Sequence, residues 1–186
     1  MGKLGALGPT IQTHGCLGVD AKTYGLMAKV IEGVDSGYRS AFSVQSSLVM
    51  YPISQFGSEE QKNRYLPGLA AGELVGCFGL TEPDHGSNPG GMTTNFKDMG
   101  DHYLLNGTKN WITNGGSASV YLVIAQTDVA KGHRGINALI VEKGMEGFSI
   151  GPKENKLGIR GSDTHSLMFT DVKVPKENRI GEDGFG

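Results

Sequence analysis

Between residues 20 and 50 the apolar positions recur at helical spacing. Tyr24, Met27, Ala28 and Ile31 stand at i, i+3, i+4 and i+7 and predict one inward face of a helix. Residues 33–37 interrupt the pattern. Tyr38, Ala41, Phe42, Gln45, Leu48 and Val49 then form a second stripe, with Asp35 or Ser36 as its N-cap. Ser58-Glu59-Glu60-Gln61 has the form of a capping box and opens a third helix, expected to run to about Ala71 with a kink or break at Pro67. From Leu74 the character changes. Tyr103-Leu104-Leu105, then Asn106-Gly107, then residues 108–113 read as a hairpin, because Asn-Gly supplies both positive φ values of a type I′ turn. Residues 120–127 and 136–142 are apolar and β-branched, and residues 147–150 and 166–174 add two more strands. Short strands at such spacing predict an all-β barrel or sandwich. The order is helices first, then a β domain, with a boundary near Glu73.

Composition narrows the function classes. Seventeen Lys+Arg against 19 Asp+Glu leave a formal net charge of -2, which excludes a polybasic nucleic-acid binder. With 38% hydrophobic residues and low net charge, the 186 residues can bury a core, which excludes a disordered chain. The longest apolar runs, such as residues 120–125, fall far short of the roughly 20 residues a membrane span needs. The start, Met1-Gly2-Lys3-Leu4-Gly5-Ala6, has no apolar signal core and departs from a myristoylation motif at Ala6, so no targeting segment is expected. Cys16 and Cys77 make neither a disulfide scaffold nor a zinc site and read as reduced, partly buried thiols of a soluble intracellular protein. The five histidines lack metal-ligand or triad spacing, and no metal site is expected. Only His85 lies in a segment of chemical interest. Thirty glycines, about twice the usual share, are spread along the chain and suit tight turns and close backbone approach to a ligand.

Two segments carry candidate chemistry. In residues 77–91 an apolar strand enters a loop dense in Gly, Pro, Ser and Asn. Such a loop can turn several backbone N–H groups into one concavity that suits an anion, with Ser87 adding a hydroxyl; a plain turn between strands is the competing reading. Residues 110–116 hold Trp111, the chain's one tryptophan. On a strand, Ile112 faces away from Trp111 and Thr113 shares its side. An aromatic plane beside a hydroxyl can support a planar heterocycle, or Trp111 can be a core residue beside a turn.

Taken together, these segments resemble the acyl-CoA dehydrogenase family. Thr81-Glu82-Pro83-x-x-Gly86-Ser87, followed by Asn106-Gly107-x-Lys109-x-Trp111-Ile112-Thr113-Asn114, carries the likeness. Gly158-Ile159-Arg160-Gly161-Ser162-Asp163-Thr164, with Phe169-x-Asp171-Val172-x-Val174-Pro175-x-Glu177-Asn178, matches a third signature, and Tyr65-Leu66-Pro67-x-Leu69-Ala70-x-Gly72-Glu73 a fourth. Residues 4–105 look closest to glutaryl-CoA dehydrogenase, notably Val34-Asp35-Ser36-Gly37-Tyr38-Arg39-Ser40-Ala41. Residues 110–186 look more like bacterial short-chain, butyryl-type enzymes. Four ordered signatures leave an unrelated β-barrel ligand binder remote.

The resemblance implies an α+β multidomain fold. A partial N-terminal all-α helical domain over residues 1–73 is followed by the family's middle all-β barrel over residues 74–186, and the C-terminal helical bundle is missing. It implies FAD as cofactor, an acyl-CoA thioester as substrate, an electron-transferring flavoprotein as electron acceptor and a homotetramer for the complete enzyme. The compartment would be the cytoplasm in a bacterium and the mitochondrial matrix in a eukaryote. Phe78, Gly79, Leu80 and Thr81 would line the flavin ring, and Gly86 and Ser87 would meet its phosphate, Ser87 also lying near CoA. Trp111 and Ile112 would pack beside the ring and Thr113 would bond to it. Arg39 and Ser40 match the glutaryl branch's substrate pair, Arg39 gripping the distal carboxylate that is then lost as carbon dioxide; a guanidinium suits that task because it pairs a carboxylate bidentately. Asn88 stands where the family's Gly-Ser-Asp run has Asp. The catalytic base is expected on the missing bundle, so no catalytic residue is assigned in this chain, and Glu82 reads as structural. Two functional readings result: part of a dehydrogenase best suited to glutaryl-CoA or butyryl-CoA, or a noncatalytic folded module.

Overall fold

The structure is a computed structural model and describes residues 1–184 and 186. Its first part is helical, with α1 (Ala21–Glu32), α2 (Ser36–Ser43), α3 (Tyr51–Phe56) and α4 (Glu59–Ala71). Local side chains set the starts. Asp20 accepts the Thr23 N–H at 2.7 Å, Asp35 accepts those of Gly37 and Tyr38, and Ser58 with Gln61 completes both halves of the capping box. α2 and α3 are joined without a break by a π-helix, Val44–Met50. Of the second stripe, Phe42, Gln45 and Val49 are buried, whereas Tyr38 and Leu48 are exposed. No break occurs at Pro67, the stronger of the two expectations there: α4 runs through it. Pro67 is exposed, and so is Asn63, whose carbonyl loses its N–H partner there and can be served by water.

Eight strands follow: β1 (Gly76–Gly79), β2 (Asn95–Asp98), β3 (His102–Thr113), β4 (Val120–Gln126), β5 (Ile136–Glu142), β6 (Phe148–Lys153), β7 (Thr164–Pro175) and β8 (Arg179–Ile180). They form one sheet in the order β6-β7-β3-β2-β4-β5-β8, with β1 also on β4. The helices-then-sheet class stands, but the barrel does not close. β8 is two residues long and pairs with β5 alone among the described residues, so β6 meets no partner across the gap.

The Asn106-Gly107 hairpin is also corrected. β3 is one continuous strand paired along its length with β7, and the register slips between Leu105 and Gly107. The positive-φ capacity of the pair serves a bulge instead of a turn. Gly107 has φ 138°, and a Cβ there would lie 2.6 Å from the Thr94 Cα, so the close approach of the next strand demands glycine. Asn106 meanwhile exchanges two hydrogen bonds with Asp171, both at 2.9 Å.

Every residue of β4 is buried. Tyr121, Val123 and Ala125 face the core inside the curved sheet, while Val120 and Leu122 face the helices with Phe42, Val49, Ile53 and Leu66. That two-sided burial is why the strand reads as a continuous apolar run instead of an alternation. Polar ties fasten the helices to the sheet. The Gln45 amide donates to the Leu69 and Leu74 carbonyls, both at 2.9 Å, and accepts the Gly76 N–H at 2.7 Å. The Tyr65 hydroxyl donates to Glu142 at 2.6 Å, and Gln61 donates to the carbonyls of Glu177 and Arg179. Among the described residues no helix is long and apolar enough to cross a membrane.

Candidate functional site

β1 and β2 follow one another along the same edge of β4: β1 pairs with residues 120–123 and β2 with Gln126. The chain between them cannot stay in the sheet and is expelled as a loop. Where it leaves, a cleft of about 320 Å³ opens between sheet and helices. Phe78, Leu80 and Thr81 form one wall, Trp111, Ile112 and Thr113 the second, and Val44 and Leu48 of the π-helix the third. The lining is mainly apolar with two hydroxyls, those of Thr81 and Thr113, and neither hydroxyl has a protein partner among the described residues.

Buried polar bonds hold the first wall. Glu82 and Lys109 form an ion pair at 2.8 Å with side chains 1% and 0% exposed. Lys109 Nζ also donates to the Leu80 carbonyl at 3.0 Å. Glu82 accepts the Thr93 N–H at 2.7 Å, the Thr93 hydroxyl at 2.8 Å and the Thr94 N–H at 2.9 Å. Burial pushes the Glu82 carboxyl up, but the bonds from Lys109, Thr94 and Thr93 outweigh it and hold the group at about 2. Burial also pulls the Lys109 ammonium down, against the opposing pull of Glu82. The loop is pinned to β3 a second time by the Asn110 N–H, which donates to the Thr81 carbonyl at 2.7 Å.

A second slip in the β3–β7 register, between Lys109 and Ile112, shapes the next wall. Lys109 and Ile112, three residues apart and both buried, pair with Leu167 and His165, which are two apart, so β3 carries one extra residue here. The bulge takes up the difference and turns Trp111 out, 56% exposed, with φ 60°. A bulky residue in the left-handed region is strained, and such strain persists where the surroundings fix it, frequently at ligand sites. Asn114, at φ 65°, closes the bend; its side chain donates to the Gly76 carbonyl at 3.1 Å. The π-helix opposite is another feature common at functional sites, and it leaves Leu48 41% exposed at the cleft.

Six of the sequence-predicted residues thus share one cleft: Phe78, Leu80, Thr81, Trp111, Ile112 and Thr113. Gly79 lies behind them, and a Cβ there would touch the Lys109 stem at 3.4 Å. Gly86 and Ser87 sit further along the expelled loop, outside the lining. His85 exchanges backbone hydrogen bonds with Glu82 and helps fold that loop. Arg39 is not in the lining either. Its Nε donates to Glu32 Oε2 at 2.6 Å across the α1–α2 junction, and Ser40 is half-buried one helical turn before Val44. Val44, Leu48 and Lys109 were not singled out for roles by sequence reasoning. A lysine within a run of strand residues was a usable signal for the last, since cations are rarely fully buried unless paired. Away from the cleft, Lys156 Nζ donates to the Ser162 carbonyl at 2.6 Å.

Residues 1–73 match the model of the acyl-CoA dehydrogenase N-terminal domain, and residues 77–172 that of the acyl-CoA dehydrogenase middle domain. A curated relative, the short-chain specific acyl-CoA dehydrogenase of Clostridium acetobutylicum, is 44% identical over 187 residues, covering 100% of this chain and 49% of the relative. A solved glutaryl-CoA dehydrogenase from Mycobacterium smegmatis in complex with FADH2 is 46% identical with a TM-score of 0.91, over 98% of this chain and 47% of that one. Butyryl-CoA dehydrogenase from Megasphaera elsdenii is 43% identical with a TM-score of 0.94, over 100% of this chain and 50% of that one. The chain spans about half the length of the curated relatives it matches. Helices that give way to a sheet at the junction of two matched domain models, with both quoted motifs meeting in the cleft at that junction, have one consistent explanation: the chain belongs to the acyl-CoA dehydrogenase family, a family of FAD-dependent oxidoreductases.

Proposed function

We propose that this chain supplies the helical and sheet walls of an FAD-dependent acyl-CoA dehydrogenase site, with the cleft at Trp111 receiving the flavin ring and the acyl thioester lying beside it. The observation that carries the reading is the outward Trp111 side chain, held at positive φ between the unpartnered hydroxyls of Thr81 and Thr113. An aromatic face flanked by two hydroxyls suits a planar ring with a polar edge. When bound, FAD supplies the acceptor for the hydride that leaves the β carbon of the acyl group. Trp111, Phe78 and Leu80 exclude water from the ring, and Thr81 and Thr113 orient it. Gly86 and Ser87, on the expelled loop, are assigned to phosphate. No carboxylate lines the cleft among the described residues, and Glu82 is committed to Lys109, so the base for the α proton is assigned outside this chain.

The finer reading is a glutaryl-CoA substrate: its α proton goes to the base and its β hydride to FAD, and the oxidised product then loses its distal carboxylate as carbon dioxide to give crotonyl-CoA. Its support is Arg39. Glu32 engages Nε alone, and the terminal guanidinium nitrogens have no acceptor among the described residues, which leaves them able to pair a carboxylate. Butyryl-CoA is the second reading, favoured by the likeness to short-chain specific enzymes. An electron-transferring flavoprotein as acceptor and a homotetramer complete the proposal for the whole enzyme.

The test is a visible spectrum of the purified chain after addition of FAD and desalting. A retained flavin band that Trp111→Ala removes is the expected result. No retained band in the wild type would reject flavin binding by this chain and leave a noncatalytic module.

A further inference from the structure

We infer that Lys109 is a positioning residue for the flavin: by holding the Leu80 carbonyl, it aims the Thr81 N–H into the cleft as a donor to the ring. The inference rests on the flavin reading of the cleft given above. No peptide bond among the described residues is cis. In a trans peptide the carbonyl of Leu80 and the N–H of Thr81 point in opposite directions. The Leu80 carbonyl accepts from Lys109 Nζ at 3.0 Å, and that side chain is fully buried behind the wall. The Thr81 N–H therefore points away from the buried ammonium, to the side where Thr81 lines the cleft. It has no acceptor among the described residues, whereas the carbonyl of the same residue is taken by the Asn110 N–H. A free backbone donor beside an outward aromatic face is what an electron-rich ring edge requires.

Three further features tie this arrangement to Lys109. Glu82 fixes the ammonium at 2.8 Å and is itself fixed by Thr93 and Thr94, so the donor cannot swing away from Leu80. Gly79 leaves space for the lysine stem beneath the wall. Lys109 also stands at the bulge that turns Trp111 outward, so one residue couples the Thr81 wall to the Trp111 wall. A buried pair whose only task were stability could be replaced by apolar residues without loss. This one has a further contact, to the backbone of the cleft.

The test compares the wild-type chain with Lys109→Met and with the double variant Lys109→Met/Glu82→Gln. The double variant leaves no uncompensated buried charge and keeps one acceptor oxygen for the Thr93 N–H and hydroxyl, giving up the Thr94 bond, so it is expected to hold the fold where the single variant does not. Amide NMR of the flavin-free chain should show the Thr81 resonance displaced and its exchange altered in the variants, with the amides of β4 and β5 unchanged. Titration with FAD should shift the Thr81 amide in the wild type. The variants should lose that shift, bind FAD roughly tenfold more weakly, the effect of one lost hydrogen bond, and show a more negative flavin potential, because a donor favours the electron-rich reduced ring. A folded variant with unchanged Thr81 amide, affinity and potential would overturn the positioning role while leaving the flavin reading intact. A wild-type chain that binds no FAD would overturn the flavin reading, and this role with it.

Discussion

Two ion pairs in this chain have nearly the same length and opposite meanings. Lys109 and Glu82 meet at 2.8 Å with side chains 0% and 1% exposed; Arg39 and Glu32 meet at 2.6 Å with side chains 35% and 44% exposed. The first lies beneath the cleft and binds three backbone groups as well, the Leu80 carbonyl and the N–H groups of Thr93 and Thr94. Neither partner can turn to water, so the loss of one leaves the other stranded. The second lies at the α1–α2 junction, where water competes for both partners and the net contribution is small. Its value is the presentation of a guanidinium whose outer nitrogens stay free. Contact distance alone does not tell architecture from binding; burial and the remaining partners do.

Mutation can break this comparison, and the largest expected effect is at Lys109. Lys109→Met should cost about 3–5 kcal/mol in chemical denaturation, and adding Glu82→Gln should recover much of it. A single variant as stable as the wild type would place both pairs in the same class. Acid provides the next test. Glu82 is held at about 2 in the folded chain against 4.5 ordinarily, so the unfolded state binds its proton first. Its stabilisation is complete above pH 4.5 or so and disappears as pH falls from there toward 2. In Glu82→Gln the acid limb of stability against pH should flatten over that window; an unchanged limb would mean another carboxylate governs it. Gln45 sharpens the same point without charge. Gln45→Leu strands the Gly76 N–H and the Leu74 carbonyl, leaves the Leu69 carbonyl with the Gly72 N–H alone, and should cost about 2–3 kcal/mol by thermal or chemical melting. The smallest effect belongs to Arg39→Gln, within about 0.5 kcal/mol of the wild type. Its signature is selectivity: the preference for glutaryl-CoA over butyryl-CoA, measured as binding to the FAD-loaded protein, should vanish. A surviving preference would remove Arg39 from the substrate site.

The parts of this fold that were legible beforehand are those governed by near neighbours. The α2 cap, narrowed to Asp35 or Ser36, the Ser58–Gln61 box and the apolar strand at residues 120–127 follow from side chains within a few positions. Phe78, Leu80, Thr81, Trp111, Ile112 and Thr113, which line the cleft, come from two motifs that stand out in the sequence. The misreadings share a cause. Asn106-Gly107 offers positive φ, and a turn and a bulge use that capacity equally; only the pairing of both flanks with β7 separates them. Period-two alternation likewise cannot foresee the extra residue between Lys109 and Ile112, because it shows only in the register with β7.

The sequence by itself determined that helices precede strands, where the helices at residues 36 and 59 start, and the family, because propensity, capping and motif spacing act over a few bonds. Tertiary structure alone decided that the sheet stays open, that β1 and β2 share one edge of β4 and expel the loop, and that Lys109 is buried under it. Each of those outcomes depends on groups distant along the chain, Glu82 with Lys109 or Thr94 with Gly107, whose meeting is set by packing and desolvation; the local pattern flags Lys109 as unusual in a strand but does not name its partner.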